Sequence, residues 1–389
     1  MKVLHLNHWY GAIGGAETYL HALCQALERR GIASAVVHGR EEGAGFTPPV
    51  PSYLIAGADV YRRPELENAW RGLQDVLRAE QPDLVLVHGW SNWALLDRLL
   101  PLVPVSQFVH TFTPVCPGTK MFRFPGPRPC DKALGPGCLA NAFLRRCANP
   151  RPHRLLSDYV NALHLLATLR RVEHVVVASR YMRGVMAQNG VAPHRLLVAP
   201  YFTPLADAPL PPLSDEPNLL FVGRLSDTKG LGSLLNALRQ VPAPWRLAVV
   251  GDGWYRARAE GLARRWSLTG SIQFAGSVAA QEVACYYRRA SIAVMPSLWP
   301  EPFGIVGLEA MACGRPVIAY DGGGAAEWLD HDKTGILVPA GDEEALAAAL
   351  NELLKDPSRG RQMGARGRER VKHRFTEERH VQALASLWP

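Results

Sequence analysis

Residues 2–39 read KVLHLNHWYGAIGGAETYLHALCQALERRGIASAVVHG, and the order of residue types along this stretch decides the fold. KVLHLNH is a short apolar run that closes on polar residues. WYGAIGGAE supplies a glycine-rich turn. TYLHALCQALERRG then places Leu20, Leu23, Cys24 and Leu27 at helical spacing, and Gly31 stops the helix. ASAVVHG is a second apolar run. Strand, turn, helix, strand is the opening of a parallel α/β unit. Buried parallel strands read as short continuous apolar runs, and the series continues through DLVLVHG, PVSQFVHT and HVVVAS.

Between residues 200 and 217 the pattern breaks into PYFTPLADAPLPPLSDEP, with six prolines and no period. Such a stretch reads as a linker. A second strand–helix series follows it: NLLFVGR, LGSLLNALRQ, WRLAVVG, a helix from Tyr255, SIQFAG, SIAVMPS, RPVIAY and GILVP. The expectation is an α/β protein of two doubly wound domains, residues 1–204 and 205–375, and a chain of 389 residues is long enough for two cores. Ligands of such sheets bind beyond the carboxyl ends of the strands, so a cleft between two facing domains is the expected site.

Composition narrows the class. Hydrophobic residues make up 48% and charged residues 20%, the balance of a globular protein. No stretch approaches the roughly 18–20 apolar residues of a spanning helix, and MKVLHLNHW lacks the long apolar segment and small-residue cleavage site expected of a signal peptide. A cytoplasmic protein is expected. The net charge of +8 suits anionic partners such as nucleotide phosphates or the inner face of an anionic membrane. The arginines are spread out rather than clustered, which argues against nucleic acid.

Carboxylates and cations stand where the strands of the second series end. In MPSLWPEPFGIVGLEAMACGRPVIAY, Glu301 and Glu309 are separated by seven residues. Read as one helix from about Pro302, the segment puts both on a similar face. Spacing alone fits two readings equally, a helix cap with an edge charge, or a ligand-binding pair. GRLSDTKG (223–230) follows a strand, so Arg224 and Lys229 can clamp a diphosphate. GDGW (251–254) follows another strand, and its glycines permit close backbone approach to a ligand. Gly14 and Gly15 form the first strand-to-helix turn, where helix amides can face an anion.

Taken in order, GGAE (14–17), HT (110–111), GRLSDTKG (223–230), GDG (251–253), PEPFGIVGLEAMACGRPVIA (300–319) and GGGAAE (322–327) resemble the retaining glycosyltransferases of family 4. That resemblance implies the GT-B fold, two facing Rossmann-like domains with a deep cleft between them. It also implies a nucleotide-diphosphate sugar as co-substrate and a glycan, lipid-linked or small-molecule hydroxyl acceptor, with no divalent cation required. The catalytic set it implies is His110, Arg224, Lys229 and Glu301, with Glu301 on the donor sugar, the two cations on the diphosphate and His110 near the reacting carbon. Donor contacts are implied at Gly14, Gly15, Gly223, Gly251, Gly253, Phe303, Gly304, Ile305 and, on the ribose, Glu309. A last helix over about residues 376–389 is implied to pack on the first domain. Transfer with retention is expected by front-face displacement, since the resemblance puts Glu301 on sugar hydroxyls and not on the anomeric carbon. Another sugar-nucleotide enzyme of this fold, a 2-epimerase or an inverting transferase, and a silent nucleotide-sugar- or metal-binding protein are the alternatives.

A segment spanning 111–150 departs from the simplest family pattern. It carries Cys116, Cys130, Cys138 and Cys147 with spacing C-x13-C-x7-C-x8-C. Four thiolates can hold a structural zinc ion or an iron–sulfur cluster. The same residues also read as free thiols of an insertion or as disulfides, and paired C-x2-C knuckles are missing. Cys24, Cys285 and Cys313 are expected in the core. Trp299 is a candidate lining of the donor pocket. His5, His8, His38 and His88 sit in strand contexts like that of His110, with no motif to assign them.

Overall fold

Both series of apolar runs fold into wholly parallel sheets. The structure is a computed structural model and describes residues 1–11, 15–42, 48–58, 63–123, 128–206, 216–242 and 244–388. The chain divides into two compact units. The first comprises Met1–Met121, Asp131–Tyr201 and Glu377–Pro389, and the second Phe122–Cys130 and Phe202–Thr376.

In chain order the elements are β1 (Lys2–Gly11), α1 (Gly15–Glu28), β2 (Ala33–Glu42), β3 (Ser52–Leu54), α2 (Arg63–Glu80), β4 (Leu84–Val87), α3 (Trp93–Leu99) and β5 (Val105–Val109). A two-residue hairpin, β6 (Phe122–Arg123) with β7 (Arg128–Pro129), falls in the second unit. The first unit resumes with α4 (Gly137–Leu144), α5 (Pro152–Leu169), β8 (Val175–Val177), α6 (Arg180–Gln188) and β9 (Leu196–Val198). Its seven strands lie in the order β3-β2-β1-β4-β5-β8-β9. Every residue of β4 and β5 is buried, as expected of central strands covered on both faces. The order reverses between β1 and β4, the position where doubly wound sheets open a crevice.

The second unit runs β10 (Asn218–Val222), α7 (Leu231–Leu238), β11 (Arg246–Val250), α8 (Arg256–Arg265), β12 (Ile272–Gly276), α9 (Ala280–Arg289), β13 (Ile292–Met295), α10 (Ile305–Ala312), β14 (Val317–Asp321), α11 (Ala325–Trp328), β15 (Gly335–Pro339), α12 (Glu343–Lys355) and α13 (Pro357–Arg374). Its six strands are ordered β12-β11-β10-β13-β14-β15, with the reversal between β10 and β13. Leu219, Phe221 and Val249 from the sheet share one core with Leu234 and Leu238 of α7 and Leu346 and Leu350 of α12. Each such side chain contributes ~1.5–3 kcal/mol by leaving water. The chain then returns to the first unit as α14 (Glu377–Ala383). No helix among the described residues is long and apolar enough to cross a membrane.

The metal reading of the cysteine segment is corrected here. Among the described residues, no group of three or more His, Cys, Asp or Glu side chains could hold a metal ion. Cys116, Cys130, Cys138 and Cys147 are all described, so they do not gather as a ligand set. Cys130 follows the β6–β7 hairpin, Cys138 lies in the first turn of α4, and Cys116 and Cys147 lie in loops. Cys24 and Cys313 are buried as expected, but Cys285 lies on the exposed side of α9.

Candidate functional site

In the second unit the loops leaving β10, β11, β13 and β14 carry the motif residues. The loops after β10 and β11 are laced together: the Leu225 amide donates to the Asp252 carbonyl (2.9 Å) and the Tyr255 amide to the Leu225 carbonyl (3.1 Å). A Cβ on Gly251 would lie 2.1 Å from the Gly223 carbonyl oxygen, and one on Gly253 would lie 2.3 Å from that of Leu225. The glycines of GDGW therefore make room for the neighbouring loop. At Gly223 nothing lies within 4 Å of an added Cβ, so open space remains there. Arg224 beside it is exposed, and among the described residues it pairs with no carboxylate. Its charge is available to an anion.

Glu301 is only 5% exposed. Its Oε1 accepts from Lys229 Nζ at 2.7 Å and from Ser297 Oγ at 2.6 Å. Lys229 Nζ also stands 5.1 Å from the centre of the Trp299 ring, within cation–π range. Among the described residues Glu301 Oε2 has no partner, so the carboxylate keeps an acceptor to offer. The helix read from about Pro302 begins later, at Ile305, behind Gly304 in a left-handed conformation (φ 94°). Glu301 instead forms an isolated bridge with Gly323 in the loop after β14. Glu301 and Glu309 thus do not share a helix face, and the residue spacing of a helix does not apply between them. Gly304 and Ile305 open the first turn of α10, whose amides have no intrahelical acceptor. The Phe303 ring is in the core, and its carbonyl accepts from Trp328 Nε1 at 2.6 Å.

Glu309, half-buried on α10, meets the Tyr287 hydroxyl of α9 at 2.9 Å. Burial pushes its pKa up to about 7, against the pull of the Tyr287 hydrogen bond. A cavity of about 240 Å³ lies elsewhere, among Asn218, Arg246, Ser271 and Arg289 near the amino ends of β10 to β12, and holds none of these residues.

In the first unit, Gly15 stands exposed at the start of α1; Gly14 lies outside the described residues. His110 follows β5 directly and belongs to a chain of imidazoles. His5 Nδ1 is 3.1 Å from His88 Nε2, His88 Nδ1 is 3.0 Å from His110 Nε2, and His110 Nδ1 meets the Tyr201 hydroxyl. Burial lowers the pKa of His5 and of His110 to about 3, so both rings are neutral. A neutral imidazole has one N–H and one lone pair. The tautomers along the chain are therefore tied: fixing the proton on one ring fixes the next. Both ring nitrogens of His110 are engaged within this unit. His5 and His88 carry no local mark separating them from other strand histidines, and only the adjacency of β1, β4 and β5 lines them up. Ser297 and Tyr287, which hold the two glutamates, are likewise not legible as partners without the fold.

Residues 205–370 match the family described as glycosyl transferases group 1, and residues 13–206 match glycosyltransferase family 4. Between them the two matches take in most of the chain, which belongs to the family 4 glycosyltransferases. A lipopolysaccharide core biosynthesis glycosyltransferase, LpsD of Rhizobium meliloti, is 26% identical over 100% of this chain and 98% of its own length. The GDP-mannose-dependent alpha-(1-6)-phosphatidylinositol monomannoside mannosyltransferase of Mycolicibacterium smegmatis is 36% identical, over 40% of this chain and only 43% of that protein. Among solved structures, sucrose-phosphate synthase from Thermosynechococcus elongatus superposes with a TM-score of 0.77 at 23% identity, covering 100% of this chain and 98% of the other. Anabaena HepE in complex with UDP and glucose gives 0.73 at 21%, covering 99% and 98%. At these identities the likeness is one of fold: two Rossmann-like parallel-sheet domains of the GT-B kind.

Proposed function

We propose that this protein transfers a sugar from a nucleoside-diphosphate sugar to a hydroxyl acceptor, with retention, in the synthesis of a cell-surface polysaccharide or glycoconjugate. The observation that carries the reading is the cluster at the carboxyl ends of β10 and β13. There a buried Glu301, fixed by Lys229 and Ser297, keeps one acceptor oxygen, and the loop that supplies Lys229 also carries the open Gly223 and the exposed Arg224. Glu301 Oε2 accepts from donor sugar hydroxyls. Lys229, Arg224 and the first-turn amides of α10 neutralise the diphosphate as it leaves. Glu309 accepts from the ribose hydroxyls. In the same reading Gly15 approaches the diphosphate and His110 stands near the reacting carbon.

In the proposed front-face step the acceptor oxygen forms its bond to the anomeric carbon on the side where the bond to the diphosphate breaks. The departing phosphate oxygen takes the acceptor proton. The donor bond electrons leave with the nucleoside diphosphate, and no metal or redox partner enters the balance. Relatives whose names specify GDP-mannose, and a neighbour holding UDP and glucose, favour GDP- and UDP-sugars as the first donors to try. A net charge of +8 adds a peripheral contact with the inner face of an anionic membrane.

The test is donor turnover across UDP-, GDP- and ADP-sugars. Glu301→Ala is expected to lower turnover by at least ~100-fold, since it removes an interaction in the transition state and leaves Lys229 unpaired. A covalent sugar adduct on Glu301 detected by mass spectrometry would overturn the front-face step. Donor binding without turnover, with every acceptor tried, would favour a silent nucleotide-sugar-binding protein.

A further inference from the structure

α5 is apolar on two sides. It buries Leu155, Tyr159, Ala162, Leu165, Leu166 and Leu169, yet it also exposes Leu156 (55%), Val160 (41%) and Leu163 (40%). These three stand at i, i+4 and i+7, a stripe along the helix. α4, which packs on α5, ends in Phe143 (53% exposed) and Leu144 (74%). A helix with an outward apolar stripe beside its core stripe has a second apolar environment to meet.

Charge around this stripe is predominantly positive. Residues 137–169 hold four arginines, Arg145, Arg146, Arg151 and Arg154, against one acid, Asp158, a local excess of three positive charges (four minus one). All four arginines are exposed, and among the described residues none is paired with a carboxylate at salt-bridge distance. Arg145 and Arg146 follow Phe143 and Leu144 directly, and Arg151 and Arg154 precede Leu156. A second copy of this chain would bring like charges together across the patch, which is disfavoured. An extended anionic and apolar surface satisfies both halves of the pattern.

We propose that the α4–α5 face docks the protein on an anionic lipid bilayer. Phe143, Leu144, Leu156, Val160 and Leu163 enter the boundary between headgroups and acyl chains, and the four arginines face lipid phosphates. This gives the membrane contact of the proposed function a defined surface and does not depend on the sugar chemistry.

Co-sedimentation tests it, with vesicles of phosphatidylcholine alone and of equimolar phosphatidylcholine and phosphatidylglycerol. Two variants are compared with the wild type, L156S/V160S/L163S and R145Q/R146Q. The wild type is expected to bind the anionic vesicles at least about tenfold more tightly than the neutral ones, and each variant to lose about tenfold or more of that binding. Donor turnover without vesicles and the melting temperature are expected to stay unchanged in both variants. Turnover is read on the same preparations, so failure of docking and failure of the glycosyltransferase reading show up separately. Absence of wild-type binding to the anionic vesicles overturns the proposal, as does binding that both variants retain. A dimer in light scattering that the triple variant abolishes, without vesicle binding, assigns the face to a second copy and overturns it as well.

Discussion

Tyr287 has one hydroxyl proton and two acceptors within reach, the Val306 carbonyl at 3.1 Å and Glu309 Oε2 at 2.9 Å. The hydroxyl donates toward both, so the Glu309 carboxylate receives only a shared proton and is poorly compensated for its burial. This agrees with a carboxyl pushed up to about 7 by burial. The sign follows from linkage. Because the folded pKa lies above the ordinary 4.5, the folded state holds the extra proton between about pH 4.5 and 7, and stability is lost as pH rises through that window. The proposed ribose contact needs the opposite state, an ionised acceptor. Glu309→Gln keeps a hydrogen-bonding group without the charge. It is expected to be more stable than the wild type by about 2 kcal/mol at pH 8 and no more stable at pH 4.5. The same variant is expected to bind a nucleoside diphosphate about tenfold more weakly at pH 8. Chemical denaturation and calorimetry at the two pH values check both halves. The buried histidines contribute with the other sign, losing stability as pH falls below 6.5, so the variant is compared with the wild type at each pH.

The loop from Pro296 to Gly304 owes its shape to the turn after β14. Gly323, at φ 67°, lets the chain run so close that an added Cβ would sit 2.1 Å from the Glu301 carbonyl oxygen. Backbone at that distance cannot step aside cheaply. Gly323→Ala is expected to cost about 1–3 kcal/mol of stability and to depress donor turnover as a Glu301 substitution does, because the loop carrying Glu301 moves. Gly261→Ala, inside α8 with nothing within 4 Å, serves as the control and is expected to be neutral or stabilising by up to ~1 kcal/mol. Melting temperature and turnover measured on both variants separate the two outcomes. The loop also shows where sequence reading stops. Strand ends, and hence the neighbourhood of Arg224, Lys229 and Glu301, were legible because apolar runs end abruptly. The start of α10 was not, since Pro302 and Gly304 are both compatible with a helix beginning, and only the left-handed φ at Gly304 decides between them. The duties of the GDGW glycines were hidden for a similar reason, because they answer to a loop 28 residues away in sequence (Gly251 against Gly223).

At the scale of the whole chain, most strands of both sheets were legible as apolar runs, because central strands such as β4 and β5 are buried on both faces, whereas the short, less buried β3 and β9 gave no such run. What periodicity does not carry is strand order, and with it the line of His5, His88 and His110 across β1, β4 and β5. The path of the chain adds a further constraint. After α13 it returns to the first unit, where Glu377 pairs with Arg29 and Arg30, and His380 accepts from the buried Tyr19 hydroxyl (2.8 Å) while donating to the Pro200 carbonyl (2.7 Å). Leu384 and Leu387 are buried there too. The surface ion pairs weigh little. The lost Tyr19–His380 hydrogen bond and the two leucines matter more, at ~0.5–1.5 kcal/mol for the bond and ~1.5–3 kcal/mol for each buried side chain. Truncation after Thr376 is therefore expected to loosen the first unit selectively. In hydrogen exchange read by mass spectrometry, peptides from β1, α1 and β5 should lose protection by at least ~100-fold, while those from β10, β11 and β13 keep theirs. Nucleoside diphosphate binding, whose proposed contacts are mainly Arg224, Lys229 and Glu309 of the second unit, should survive the truncation. Equal loss of protection in both units would show that the return segment stabilises the chain as one cooperative block, and unchanged protection throughout would show that Tyr19 and His380 contribute no net stability.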